Sequence, residues 1–253
     1  GLLLATGGQA MVQAAYRSGT PAIGVGPGNA PALISADADL AHAARSVVES
    51  KSFDNGVICG AENHLVVEAS VRSQLIVELM QQGAAVLTRS ESARFRDEAV
   101  DPETGRFASR LVGQGAATLA RLGHIARPYA IKLLVLPSES VSAGNYLAAE
   151  KLAPVTSLFT VADADEGIEV CRRLLEIDGT GHTAIIHTRD ISLSRRFALA
   201  LPASRVIVNS PATQGLMGIS TGLTPSLTLG CGTWGGNSTT NNVTYKDLLN
   251  IKG

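Results

Sequence analysis

Aromatic residues are scarce in this chain, at 4% of 253 residues, with a single Trp. Charge is also thin: 17% of residues are charged, and 21 basic against 22 acidic side chains leave a formal net charge of −1. A disordered acidic or basic tail is thereby excluded, because 45% hydrophobic residues give enough apolar surface to offset ordering entropy. The basic footprint of a nucleic-acid binder is absent too. No apolar run reaches the roughly 18 residues that cross a bilayer, so a soluble chain with no membrane partner is expected. The three cysteines, Cys59, Cys171 and Cys231, are odd in number and widely spaced. They make neither a disulfide framework nor a zinc set, so no metal is expected and a reducing, cytoplasmic setting fits.

What the chain does have is glycine, 26 of them, among many Ala, Val, Leu and Ile. At this length it forms one large domain or two small ones. The mix favours an α/β layered protein over a β-sandwich. The chain opens on Gly1, not Met, and runs at once into Leu2-Leu3-Leu4-Ala5, which reads as a buried strand with no lead-in. An N-terminal part is therefore expected to be missing, and no signal peptide is visible. Asn237-Ser238-Thr239 and Asn242-Val243-Thr244 match the glycosylation acceptor pattern, but matches this short arise by chance.

Strand and helix patterns alternate along the chain. After the first strand, Thr6-Gly7-Gly8 is a turn and residues 9–18 look helical. Pro21 to Val25 is short and apolar, and Gly26-Pro27-Gly28-Asn29 is turn-rich. Residues 32–35 read as a strand, and Asp37 or Asp39 can cap a helix with Leu40, Ala44 and Val47 on one face. Residues 64–68 read as a strand and 71–82 as a helix. The stretch from Ser90 to Arg127 is richer in charge and broken by Asp101-Pro102. Strands are expected at 131–136, 156–161, 183–188 and 205–208, and helices at 163–177 and 190–200. Beyond Ser210 extended loops are expected, with a last short element from Tyr245 to Ile251. This alternation predicts a mostly parallel sheet covered on both faces.

Four windows can carry chemistry, each beside a plainer reading. Thr6-Gly7-Gly8 joins a strand to a helix, where free N–H groups and the positive dipole end suit a phosphate; an ordinary tight turn has the same composition. Cys59 ends the loop Phe53-Asp54-Asn55-Gly56-Val57-Ile58 with Gly60 and Ala61 beside it, so an accessible nucleophilic thiol or a buried structural one both fit. Glu150, ahead of Lys151-Leu152-Ala153-Pro154, can bond a ribose hydroxyl or stand solvated in its loop. His182, in Gly181-His182-Thr183, can carry a proton or be a satisfied structural residue. Cys171 falls on the apolar face of a helix and Cys231 in a glycine-rich loop, so both are expected to be passive. His42, His64, His124 and His187 read as surface or satisfied residues.

Taken in order, these windows resemble the aldehyde dehydrogenase superfamily, in its coenzyme-A-acylating branch, over essentially the whole chain. Thr6, Gly7 and Gly8 match the turn that contacts the dinucleotide pyrophosphate. Residues 53–62 match the catalytic-cysteine loop. Glu150 to Pro154 is similar to the E-x-F-G-P segment, whose acid binds the nicotinamide ribose, with Leu152 in its third position. Gly181-His182-Thr183 resembles the G-H-T of acylating members, and residues 231–252 resemble the end of that module. The hydrolytic members carry E-L-G-G-K-x-P, whose Glu activates water. Here that window reads Val25-Gly26-Pro27-Gly28-Asn29-Ala30-Pro31, with Val25 in the column of the base.

The resemblance implies an aldehyde dehydrogenase-like α/β catalytic domain with a mostly parallel sheet and a remnant of a nucleotide-binding domain. Residues 1–27 would end the dinucleotide-binding domain, 28–210 form the catalytic domain and 211–253 the C-terminal loops and oligomerisation segment. It implies a short aldehyde or acyl-CoA as substrate, NAD or NADP as cofactor, coenzyme A as co-substrate and a homo-oligomer. Cys59 would be the nucleophile, and His182 would serve the acyl-transfer half of the cycle. Thr6, Gly7, Gly8, Glu150 and Leu152 would contact the cofactor. A water-using dehydrogenase with a replacement base and a non-catalytic assembly subunit are the alternatives.

Overall fold

Short runs of Val, Ile, Leu and Ala, punctuated by Gly, Pro and Asp, set the strands. The computed structural model describes residues 1–250 and Lys252. A small unit comes first: β1 (Leu3–Thr6), α1 (Gln9–Arg17) and β2 (Ala22–Val25), its two strands paired in parallel from Leu3↔Ala22 to Thr6↔Val25. The other strands are β3 (Pro31–Ile34), β4 (His64–Glu68), β5 (Ala84–Val86), β6 (Leu133–Pro137), β7 (Val155–Val161), β8 (Gly181–His187) and β9 (Ala203–Val208). They form one parallel sheet in the order β5-β6-β7-β4-β3-β8-β9.

Period-two alternation sends neighbouring residues to opposite faces. Ala32 and Ile34 of β3 pack with Leu65 and Val67 under α2 (Leu40–Ser52) and α3 (Arg72–Gln81). Leu33 and Val66 face the other way, against α6 (Ala164–Ile177) and α7 (Ile191–Ala200). A third cluster joins β5 and β6 to α4 (Arg89–Ala99) and α5 (Ala116–Leu122), and α8 (Ala212–Leu216) closes on the first. Aspartates start three of these helices: the carboxylates of Asp39, Asp163 and Asp190 accept from His42 N–H, Asp165 N–H and Ser192 N–H. Each such cap contributes about 1 kcal/mol. No helix among the described residues is long and apolar enough to cross a membrane.

Two expectations need correction, and one strand was missed. The opening strand is exposed rather than buried: Leu3 and Leu4 are 39% and 48% accessible, because β1 pairs only with β2 and packs against α1 rather than into the large sheet. β5 went unread, since three residues are too few to show a period. His64 and His187 are neither at the surface nor fully satisfied. Both are buried, and His64 Nδ1 and both His187 nitrogens lack partners. The last short element, expected from Tyr245 to Ile251, is a 3₁₀ turn at Tyr245–Leu248 with Tyr245 exposed; Ile251 lies outside the described residues. Asn237 and Asn242 are buried hydrogen-bonding residues, consistent with chance matches to the glycosylation pattern.

Candidate active site

Because every pairing in the large sheet is parallel, all its strands share one amino edge, and the candidate residues gather there. Gly28 and Asn29 lead into β3, Cys59 to Asn63 into β4, and Glu150 to Pro154 into β7, while Gly181 and His182 open β8. Residues remote in sequence thus meet along one end of the sheet.

Cys59 is half-buried, and its Sγ lies 3.0 Å from His182 Nε2. His182 is buried, and its Nδ1 sits 2.9 Å from Thr183 Oγ1. With Nδ1–H donated to that hydroxyl, Nε2 is left to accept the thiol proton. Burial pushes the Cys59 thiol up to about 12 and His182 down to about 3, with Arg205 adding to the latter. Both shifts favour the neutral forms, a thiol beside an imidazole.

Backbone contacts fix the loop that presents Cys59. Asp54, Asn55 and Gly56 stand consecutively in the left-handed region, with φ of 47°, 50° and 71°. A Cβ on Gly56 would overlap the backbone of Ala153 and Pro154, and one on Gly28 would overlap the Cys59 carbonyl. Only glycine allows either approach. The cysteine loop is thereby seated against both the Glu150–Pro154 segment and the lead into β3.

Glu150 is half-buried and not a free loop carboxylate, since its Oε1 accepts from Gly28 N–H at 3.0 Å. Burial raises it to about 7, opposed by that hydrogen bond and by Lys51. Leu152 adopts φ 47°, an uncommon backbone for a leucine, and its carbonyl accepts from Gly113 N–H at 3.0 Å. Thr6 ends β1 and Gly7 N–H donates to Val25 O, 3.1 Å. Gly8 is the N-cap of α1 and offers no side chain, so the first N–H groups of that helix stay open. Gln9, Gly26, Pro27, Thr180, Cys231 and Gly235 line a cleft of about 550 Å³ between this helix start and the large sheet. Val25 is 1% accessible. Cys171 and Cys231 are buried, as expected of passive thiols.

Several site residues escaped the sequence reading. Lys51, in the last turn of α2, is 2% accessible and lies within the field of Glu150, Glu62 and Cys59. Burial pulls it down to about 8, and those three groups oppose the drop. Its signal was in the sequence: Leu40, Ala43, Ala44, Val47, Val48 and Lys51 follow one apolar stripe, and a lysine there is out of place. Glu62 is buried, raised by burial to about 7, and accepts from Ala212 N–H at 2.9 Å. Asn29 ties the amino edge together, donating to Ala148 O (2.9 Å) and Leu174 O (2.7 Å) and accepting from Asn63 Nδ2 (2.6 Å). Lys151 secures the Glu150 segment through Ala149 O and Leu147 O. Buried Arg205 binds the carbonyls of Gly230 and Thr240, holding the 229–242 loop beside His182.

The profile of the aldehyde dehydrogenase family matches residues 4–228. Aldehyde-alcohol dehydrogenase 2 of Entamoeba histolytica is 37% identical over 99% of this chain and 30% of its own length. An acetylating aldehyde dehydrogenase structure from Geobacillus thermoglucosidasius superposes with TM-score 0.94 at 39% identity, over 99% of this chain and 55% of that one. The propionaldehyde dehydrogenase of Rhodopseudomonas palustris, solved with propionyl-CoA bound, gives TM-score 0.86 at 27% identity over 94% and 52%. The chain thus spans about a third to a half of the length of these relatives.

Proposed function

The chain belongs to the aldehyde dehydrogenase family, and from that membership we propose that it carries the cysteine half of a CoA-acylating aldehyde dehydrogenase. The observation that carries the reading is the 3.0 Å contact between Cys59 Sγ and His182 Nε2, with apolar Val25 in the column of the hydrolytic base. The relatives with acetylating activity or bound propionyl-CoA support the same branch.

In the forward direction His182 Nε2 takes the thiol proton as Cys59 Sγ adds to the aldehyde carbonyl. The open start of α1 and the 550 Å³ cleft beside it fit a phosphate-bearing cofactor, with Thr6, Gly7 and Gly8 at the phosphates and Glu150 and Leu152 at the ribose end. The dinucleotide, when bound, supplies the hydride acceptor; this chain's residues leave NAD and NADP equally open. Cys59 then holds the acyl group as a thioester. After His182 has released that first proton to solvent, the thiol of coenzyme A attacks the thioester carbon, its proton passes to His182 and on to Cys59 Sγ, and Cys59 leaves as the thiol. Val25 cannot deprotonate water, and losing a general base typically removes about 10²–10⁴-fold of rate. A thiol needs less help, being more nucleophilic and partly ionised near neutral pH. We place the last strands of the dinucleotide-binding domain in residues 1–27 and the catalytic domain in 28–210.

A water-using reaction with Glu150 as base is the rival reading, favoured by a carboxyl raised to about 7 close to Cys59. Product identity separates them. With the full-length protein, an aldehyde, dinucleotide and coenzyme A, the expected product is thioester. Free acid as the main product would return the site to the hydrolytic class. Val25→Glu should shift the partition toward acid at fixed coenzyme A. If that variant folds, binds aldehyde and gives no more acid, the absent base is not what selects the acceptor.

A further inference from the structure

The candidate catalytic residues occupy the amino edge of the sheet, while four arginines gather at the opposite edge. A cavity of about 880 Å³ opens there, beyond the carboxyl ends of β6 and β7. We propose that this cavity binds a phosphorylated organic anion of nucleotide size, at a site separate from the catalytic cleft.

Four arginines line it: Arg72, Arg89, Arg96 and Arg173. The carboxylates on its wall are Glu139 and Glu166. Glu139 meets Arg89 at 3.3 Å, and Glu166 accepts from Ala162 N–H at 2.6 Å. Arg96 reaches only its chain neighbour Asp97, at 3.3 Å. Arg173 donates to Val141 O at 2.6 Å and meets no carboxylate, and the Arg72 side chain has no hydrogen-bond or ion-pair partner among the described residues. Guanidinium groups left this way suit the planar, two-pronged recognition of a phosphate.

Independent features agree. Ser92 Oγ, on the cavity wall, is buried without a partner. Arg72 and Arg89 are the first residues of α3 and α4, and Glu166 lies in the first turn of α6, so three helices direct their positive ends toward this edge. Thr88 and Asp163 cap α4 and α6, but the N-cap of α3 is Val71, whose side chain accepts nothing. Leu147 and Phe159 supply an apolar wall, which a bare phosphate would not use. The volume falls in the range of small-ligand sites. Crevices at the carboxyl ends of strands are also where open α/β sheets commonly bind ligands.

The test compares the full-length protein with its Arg72→Gln, Arg173→Gln double variant by calorimetric titration with ADP and with inorganic pyrophosphate. The parent should bind ADP roughly ten-fold more tightly than pyrophosphate. The double variant should lose one ADP site, or about ten-fold or more of its affinity, with kcat and the KM for coenzyme A unchanged. No ADP binding by the parent, or equal binding by the double variant, would overturn the site. Equal affinity for the two probes would overturn its organic part. Hydrogen exchange on the unmodified protein avoids dependence on how the variant folds. ADP should protect the amides of residues 72–75 under the same conditions, and protection confined to residues 6–10 would contradict the proposal.

Discussion

Lys51 occupies a place on α2 where a leucine would pack, and burying an ammonium there has to be offset by the carboxylates around it. Its charge opposes the upward shift of Glu150, so removing it should raise Glu150 further. If ionised Glu150 is needed for hydride transfer, the rate falls as pH drops through its folded value near 7. Lys51→Met should then move that acidic limb upward by about one pH unit, equivalent to about 1.4 kcal/mol. Thermal stability should be unchanged or raised, and Lys51→Arg should keep the limb in place. The pH–rate profile of the full-length protein is the check: a lower rate with an unmoved limb would reduce Lys51 to packing. At this scale the sequence exposes residues with a local signature, such as Cys59 among small neighbours and His182 after a glycine. It hides what depends on a meeting of distant segments. The Cys59–His182 contact joins residues 123 apart, and Glu62 and Arg205 acquire their places only through Ala212 and the 229–242 loop.

Among elements, β3, β4, β7, β8 and β9 were legible because buried parallel strands are continuous apolar runs with sharp ends. The exposure of β1 was not, since three leucines in a row carry no information on whether a second layer covers them. The loop before Cys59 was recognisable as a loop, but its seating on the Glu150–Pro154 segment was not. That seating makes Gly56 sensitive. Gly56→Ala should destabilise by at least about 1–2 kcal/mol from the left-handed backbone alone, with more from overlap with Ala153. A urea melt measures this, and a midpoint within error of the parent would show that the two segments separate freely. The segment from Tyr245 leaves Tyr245, Leu248 and Leu249 exposed on a short turn. We expect it to be covered by another subunit, so deleting residues 245–253 from the full-length protein should lower its solution mass by whole subunits. An unchanged mass would assign these side chains to their own chain's surface.

On the scale of the whole molecule, the seven-stranded parallel sheet separates two edges lined by different groups. The amino edge gathers the Cys59–His182 pair and the buried ionisable side chains of Lys51, Glu62, Lys151 and Arg205, and the carboxyl edge presents arginines. The architecture was predictable from strand and helix alternation; which edge would hold the chemistry was not, because loop lengths do not reveal it. The central claim is that Cys59 exchanges an acyl group with coenzyme A. The most direct measurement is peptide mass mapping of the full-length protein after incubation with a short acyl-CoA and no dinucleotide. Free coenzyme A should appear together with one acyl group on the peptide containing Cys59, and neither should form with Cys59→Ala. Acylation at Cys171 or Cys231 instead, or no acyl-enzyme from a folded protein, would contradict the account.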